Sequence, residues 1–309
     1  MTPRIWLIAG PTASGKSALA LRLAQALGAE IVGADALQIY RDLPILTARP
    51  TAAEQALVPH HLVGGVDGAE GWSVGRWLSA ARNTLDEIAV RGRSAVVVGG
   101  TGLYFHALTR GLAQVPAVPI AVRMQAQGVF DEGGEVVFRG MLRGIDAASE
   151  ARISPGDRQR LVRAWEVWLA TGQSLTDWQA SSVGGLPSGS WSGAVIVPDR
   201  AALYDRCDSR MEMMMEAGVL AEVAGLAARN LNPALPILKA VGYPQLAAHL
   251  RGELSRDQAL EVAQRETRRY AKRQTTWMRG QMVDWPKIET LDPDAQWRAF
   301  LALYPNLTL

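Results

Sequence analysis

The stretch Gly10-Pro11-Thr12-Ala13-Ser14-Gly15-Lys16-Ser17 restricts what this chain can fold into more than any other. The apolar run Ile5-Trp6-Leu7-Ile8-Ala9 precedes it, and the amphipathic segment Ala18 to Ala24 follows. Strand, glycine-bounded loop and helix is the context in which G-x-x-x-x-G-K-[ST] holds phosphate. The glycines let the backbone turn tightly enough for successive N–H groups to face phosphate oxygens. The helix N-terminus adds a partial positive charge. In such a loop Lys16 supplies a cation for the terminal phosphate, and Ser17 a hydroxyl ligand for Mg²⁺. The spacing predicts a di- or triphosphate site at the first strand of a parallel α/β sheet.

At 309 residues the chain has room for one large domain or for a core with an insertion. Its 48% hydrophobic and 20% charged content is that of a globular protein. A formal net charge of +2 is too small to mark the whole surface for nucleic acid, so any RNA-binding face has to be local. The single cysteine, Cys207, excludes a disulfide framework and a Cys-rich zinc module, and it fits a reducing cytosol. No charged leader precedes the first strand and no apolar run reaches the length of a membrane span. The expectation is a cytoplasmic protein without membrane attachment.

Glu30 to Asp35 reads as a second strand ending in a carboxylate, Pro59 to Val63 as a further short one, and Ser94 to Gly99 as a buried strand running into Gly100-Thr101-Gly102. Ser79 to Arg91 and Leu103 to Leu108 read as helices. From Gly111 the strand patterns stop, and 115–192 reads as an inserted helical subdomain. Its clearest piece is a helix from Arg158 to Thr171, started by Ser154 to Asp157, with Leu161, Trp165, Trp168 and Leu169 on one face. Ser181 to Gly193 reads as a mobile loop back to a strand at 194–198. The segments 1–114 and 193–309 then form the core, which ends in long helices over Arg200 to Arg229 and Ser255 to Arg279.

Ligands of parallel sheets bind outside the carboxyl ends of the strands, so Asp35 faces the phosphate loop. It could be a base for an incoming nucleophile or a helix N-cap. The strand at 95–98 ends without a carboxylate, which argues against an ATPase motor and leaves a small-molecule kinase or another phosphate-dependent transferase. An RNA-binding GTPase-like module lacks its Asn/Thr-Lys-x-Asp signature here. Arg265, Arg268, Arg269, Lys272 and Arg279 fall near one helix face, fitting either a polyanionic backbone or a solvated surface. Met211, Met213, Met214 and Met215 read as packing, and the adjacent His60 and His61 point different ways and have no further metal ligands in view.

Taken together the motifs resemble the bacterial tRNA dimethylallyltransferases. The resemblance rests on the phosphate loop, Asp35-Ala36-Leu37-Gln38-Ile39-Tyr40-Arg41, Thr47 to Pro50, Pro59 to Leu62, Gly99 to Tyr104, Asp157 to Val167, Val241-Gly242-Tyr243 and Ala271 to Trp277, in the family's order. It implies an α/β, P-loop NTPase-like core flanked by helices, with an inserted helical subdomain that binds tRNA. It also implies transfer of a dimethylallyl group from dimethylallyl diphosphate to N6 of the adenine 3′ of the anticodon, with Mg²⁺ as cofactor and a monomer as the working form.

The same resemblance implies roles for particular residues. Asp35 matches the catalytic base and Thr101 a residue beside the reacting centre. Gly10 to Ser17 would hold the diphosphate, with a nucleotide also tolerated there, and Arg206 or, better, Arg210 would clamp it. The anticodon stem-loop would be met by Asp35, Ala36, Leu37, Gln38, Thr101, Arg123, Gln159, Arg160, Leu161, Val162, Arg163, Lys239, Gly242, Tyr243, Lys272, Arg273, Gln274, Trp277 and Arg279. That match favours RNA contact for the basic helix. Ala36 stands where the family usually has serine, removing a hydroxyl next to the base.

Overall fold

The most apolar segments become neighbouring strands of one sheet in the computed structural model, which describes residues 4–181 and 184–307. The strands are β1 (Ile5–Ala9), β2 (Glu30–Gly33), β3 (His60–His61), β4 (Ala95–Gly99), β5 (Trp191–Ile196) and β6 (Lys287–Ile288). Their order is β3-β2-β4-β1-β5-β6, with every pairing parallel. β1 lies between β4 and β5, and Leu7, Ile8 and Ala9 are buried completely, which is why this strand reads as an unbroken apolar run.

The chain divides into two compact units, one made of the residues up to Ala107 and from Pro187 onward, the other Leu108–Leu186. These borders lie earlier than the 115–192 read from the sequence. Trp191 and Ser192 already pair with Ile5 and Trp6, so β5 starts inside the stretch assigned to the return loop. Residues 182–183 of that loop lie outside the described residues.

In the helical unit the helix Ile120–Ile145, whose regular geometry breaks at Gly134, packs on Arg158–Thr171. Phe138, Leu142, Leu161 and Trp165 fill their interface. Asp157 caps the second of these helices by accepting the Arg160 N–H at 3.1 Å, as the start signal predicts.

In the core unit the stretch 200–229 is two helices and not one. Arg200–Glu216 and Val219–Ala228 are separated at Gly218, whose φ of 92° is open to glycine at little cost. The basic helix runs Arg256–Gln281 behind a Ser255–Gln258 capping box. Ala259, Ala263, Thr267, Ala271, Gln274 and Met278 form its buried face. Met211, Met214 and Met215 are buried and Met213 exposed. His61 Nε2 meets the buried Glu30 carboxylate at 2.6 Å, while His60 Nδ1 meets the Val58 carbonyl, so the two histidines do diverge. Among the described residues no group of three His, Cys, Asp or Glu side chains could hold a metal, and no helix is long and apolar enough to cross a membrane.

Candidate active site

Three strand ends meet on the carboxyl side of the sheet. β1 leads into the phosphate loop, β2 into Asp35 and β4 into Thr101. Gly10 N–H donates to Gly99 O at 3.3 Å and Thr101 N–H to Ala34 O at 3.2 Å, tying the three exits together. Within the loop Ala13 (φ 62°) and Gly15 (φ 88°) take left-handed conformations that turn the backbone into a concave nest before the helix Lys16–Leu27 begins. Ser14 is fully buried, and its hydroxyl has no hydrogen-bond partner among the described residues. A buried orphan of this kind is costly unless a ligand meets it.

Lys16 Nζ donates to the Pro11 carbonyl at 3.2 Å. Burial lowers its pKa from 10.5 to about 8; the charge of Asp35 pulls it back up and that of Arg210 pushes it further down. Thr12 to Ser17 bound a cavity of about 290 Å³, together with Asp35, Leu37 and Gln38 from the turn after β2 and Arg206 and Arg210 from the Arg200–Glu216 helix. The two arginines differ. Arg206 Nη1 is committed to the Leu291 carbonyl at 2.9 Å. Arg210 makes no hydrogen bond or ion pair among the described residues, and burial lowers its pKa.

Asp35 Oδ1 accepts the N–H groups of Leu37 (2.9 Å) and Gln38 (3.3 Å). It therefore caps its own turn while lining the cavity, and the base and cap readings are compatible. Thr101 Oγ1 accepts the Ala36 N–H at 3.0 Å. Gln38 is aimed by its Nε2, which donates to the carbonyls of Thr47 (2.9 Å) and Ala48 (3.1 Å). The phenols of Tyr104 and Tyr270 are pushed up by burial and then by the Asp35 charge, which places the carboxylate among apolar aromatic rings.

The cavity also has an apolar wall that the sequence did not announce. Cys207, Met211 and Met214 line it from one helix, joined by Leu46 and Val241, and the Cys207 thiol is pushed up to about 11 by burial. Met211, Met214 and Met215 do pack, as expected, while Met213 is exposed, and Met211 and Met214 pack against the site. Met211 lies four residues after Cys207 and Met214 four after Arg210, and that spacing was the available signal.

Among the positions matched to RNA contact, Arg123, Gln159, Arg160, Lys239, Lys272, Arg273 and Arg279 have exposed side chains. Arg163 is half-buried and donates to Glu166 at 2.6 Å. Leu161, Val162, Gly242 and Tyr243 are buried. Trp277 is half-buried on the Gly102 backbone. Gln274 turns inward, accepting Thr12 N–H at 2.8 Å and donating to Gly100 O at 2.9 Å. Arg268 is neutralised by both oxygens of Asp208, a partner on another helix that a reading of the basic helix by itself overlooks.

Residues 38–281 match the family model described as IPP transferase, and residues 3–58 the one described as isopentenyl transferase. The chain is 59% identical over 308 residues to the tRNA dimethylallyltransferase of Phenylobacterium zucineum, covering 100% of both. It resembles the solved tRNA isopentenylpyrophosphate transferase of Bacillus halodurans at 29% identity and TM-score 0.69, covering 98% of this chain and 96% of that one. A eukaryotic dimethylallyltransferase acting on tRNA, at 24% identity, shares the fold with TM-score 0.83, covering 98% of this chain and 79% of that one. With a P-loop NTPase-like parallel sheet and a family match over most of its length, the chain belongs to the tRNA dimethylallyltransferases.

Proposed function

We propose that this protein moves a dimethylallyl group from dimethylallyl diphosphate to N6 of the adenine 3′ of the anticodon in tRNA, releasing diphosphate. The observation that carries this reading is the single cavity of about 290 Å³ that joins a phosphate nest, Lys16, Arg210, an apolar wall and Asp35. Leu46, Met211 and Met214 set an apolar wall beside the nest and the cations, which a five-carbon allyl group fills while its diphosphate sits in the nest.

In the reaction the N6 lone pair forms a bond to C1 of the donor. The C1–O bond breaks with its electron pair going to the diphosphate, and the N6 proton passes to Asp35. Adenine's exocyclic amine is a poor nucleophile because its lone pair is delocalised into the ring, and a positioned base contributes about 10²–10⁴-fold. The loop amides, the Ser14 hydroxyl, Lys16 and Arg210 hold the leaving diphosphate. Thr101 keeps the backbone beside Asp35 in place and has its hydroxyl proton free to donate. Mg²⁺, when bound, neutralises charge on the diphosphate. Ser17, which lines the cavity in the first helical turn, would hold that ion through its hydroxyl.

The target base leaves its stack to enter the cavity. Exposed Lys239, Lys272, Arg273 and Arg279 support contact between the core unit and the phosphate backbone of the stem-loop, and exposed Arg123, Gln159 and Arg160 support such contact for the helical unit by itself.

The test is one incubation with unmodified tRNA, dimethylallyl diphosphate and Mg²⁺, followed by nucleoside mass spectrometry, with Asp35→Ala alongside. Prenylated adenosine that depends on Asp35 is expected. ADP formed from ATP and small acceptors, with no prenylated nucleoside, would sink the reading.

A further inference from the structure

Gln274 sits on the basic helix between an exposed face that carries Lys272 and Arg273 and the strand ends that build the cavity. The residue is 7% exposed. Both ends of the amide are used: Oε1 accepts Thr12 N–H at 2.8 Å and Nε2 donates to Gly100 O at 2.9 Å. Thr12 belongs to the phosphate loop after β1. Gly100 precedes Thr101 after β4, and Thr101 holds Ala34 and Ala36 on either side of Asp35. One amide therefore stands between the part of the site that holds phosphate and the part that holds the base.

The surroundings fit no other group well. A Cβ at position 100 would come within 2.3 Å of Gln274 Nε2, so the close approach needs glycine there. A group that accepts at one end and donates at the other is required, which a neutral amide supplies and a carboxylate does not. We propose that Gln274 is a positioning residue that braces the phosphate loop against the Thr101 loop, keeping Asp35 in register with the donor diphosphate. Its effect on the transfer rate rests on the transferase reading above; the brace itself does not.

Gln274→Met removes both hydrogen bonds at similar volume. Gln274→Glu keeps the shape but, when ionised, turns a carboxylate oxygen toward the Gly100 carbonyl. Single-turnover rates from about pH 5.5 to pH 8, each as a ratio to wild type at the same pH, cancel the titration of the other site groups. For Gln274→Met a loss of about 10-fold or more at every pH is expected, with RNA affinity retained. For Gln274→Glu the loss should shrink toward low pH, where the protonated carboxyl can accept from Thr12 and donate to Gly100. Calorimetry with inorganic pyrophosphate and Mg²⁺ should show weaker binding in both variants. If wild type yields no prenylated RNA while both variants still lose pyrophosphate affinity, the transferase reading fails and the brace stands. Wild-type pyrophosphate affinity in Gln274→Met, or a loss confined to KM for RNA, overturns the brace. Should the Gln274 variants not fold, Gly100→Ala displaces the amide from its other side and is expected to reproduce the loss; wild-type behaviour there overturns the proposal equally.

Discussion

Thr101 Oγ1 accepts the Ala36 N–H at 3.0 Å while the Thr101 N–H donates to the Ala34 carbonyl at 3.2 Å, so one residue after β4 holds both neighbours of Asp35. The contact explains how the turn keeps its shape with alanine at position 36. The hydroxyl that orders the backbone comes from position 101, across the gap between two strand ends.

Thr101→Val, which keeps the shape and removes the acceptor, leaves the Ala36 N–H unsatisfied at a cost of about 1–3 kcal/mol. A lower melting temperature and a single-turnover rate reduced by about 10-fold or more are expected, with Thr101→Ser much closer to wild type. A valine variant as fast as wild type would remove Thr101 from the site.

The two candidate phosphate arginines should separate cleanly. Arg210 reaches the cavity with no hydrogen-bond or ion-pair partner among the described residues, whereas Arg206 is bound to the Leu291 carbonyl. Arg210→Ala should weaken pyrophosphate binding by about 10- to 100-fold, because a charge-assisted bond to phosphate is lost. Arg206→Ala should weaken it by a few-fold at most. Equal losses measured by calorimetry would mean that Arg206 leaves Leu291 when phosphate arrives.

What was legible in the chain was local. Gly10 to Ser17 sets its own conformation through its glycines and the helix behind it, and Asp35 could be found because a strand end has one direction. The apolar wall was not legible in that way, since Leu46, Met211 and Val241 belong to three segments that meet only in the folded core unit. The direction of Gln274 was within reach. It lies three residues after Ala271 and four before Met278, on the helix's buried face, while Lys272 and Arg273 lie outside that stripe. The match to RNA contact over Lys272 to Arg279 took in Gln274, although helical phase turns that residue inward. Gly218 is the converse case, a break hidden in a helix-favouring run because glycine within such a run is only mildly unfavourable.

Lys16 should govern the pH dependence of the unliganded protein. In the folded state its pKa is about 8 against 10.5 unfolded, so between these values the unfolded chain binds more protons and stability rises with pH. The cost of the buried charge at pH 7 is about 3 kcal/mol. Lys16→Met should therefore raise the melting temperature of the free protein near neutrality, an advantage that shrinks as pH rises above about 8 and is gone near 10.5, and should abolish tight pyrophosphate binding. A variant less stable than wild type at pH 7 would show that the bond from Lys16 to Pro11 outweighs desolvation.

Gln38 is aimed from a distance by Glu222. The carboxylate, on the Val219–Ala228 helix, accepts Ile45 N–H at 2.6 Å and Leu46 N–H at 2.9 Å, holding the turn whose Thr47 and Ala48 carbonyls receive the Gln38 amide. Burial raises the Glu222 pKa above 4.5, against the opposing pull of the two N–H groups and of Arg49. The folded state then binds the extra proton between the two values, so this residue makes stability fall as pH rises from about 4.5 through the raised value. Glu222→Gln removes that dependence. It also sets an NH₂ group against a backbone N–H, leaving the turn held by one good bond where there were two. The expected result is a flatter stability profile in denaturant titrations between about pH 4 and pH 7, with RNA-dependent turnover reduced by about 10-fold and pyrophosphate affinity unchanged. Loss of pyrophosphate affinity in this variant would mean that the turn supports the phosphate loop as well as Gln38.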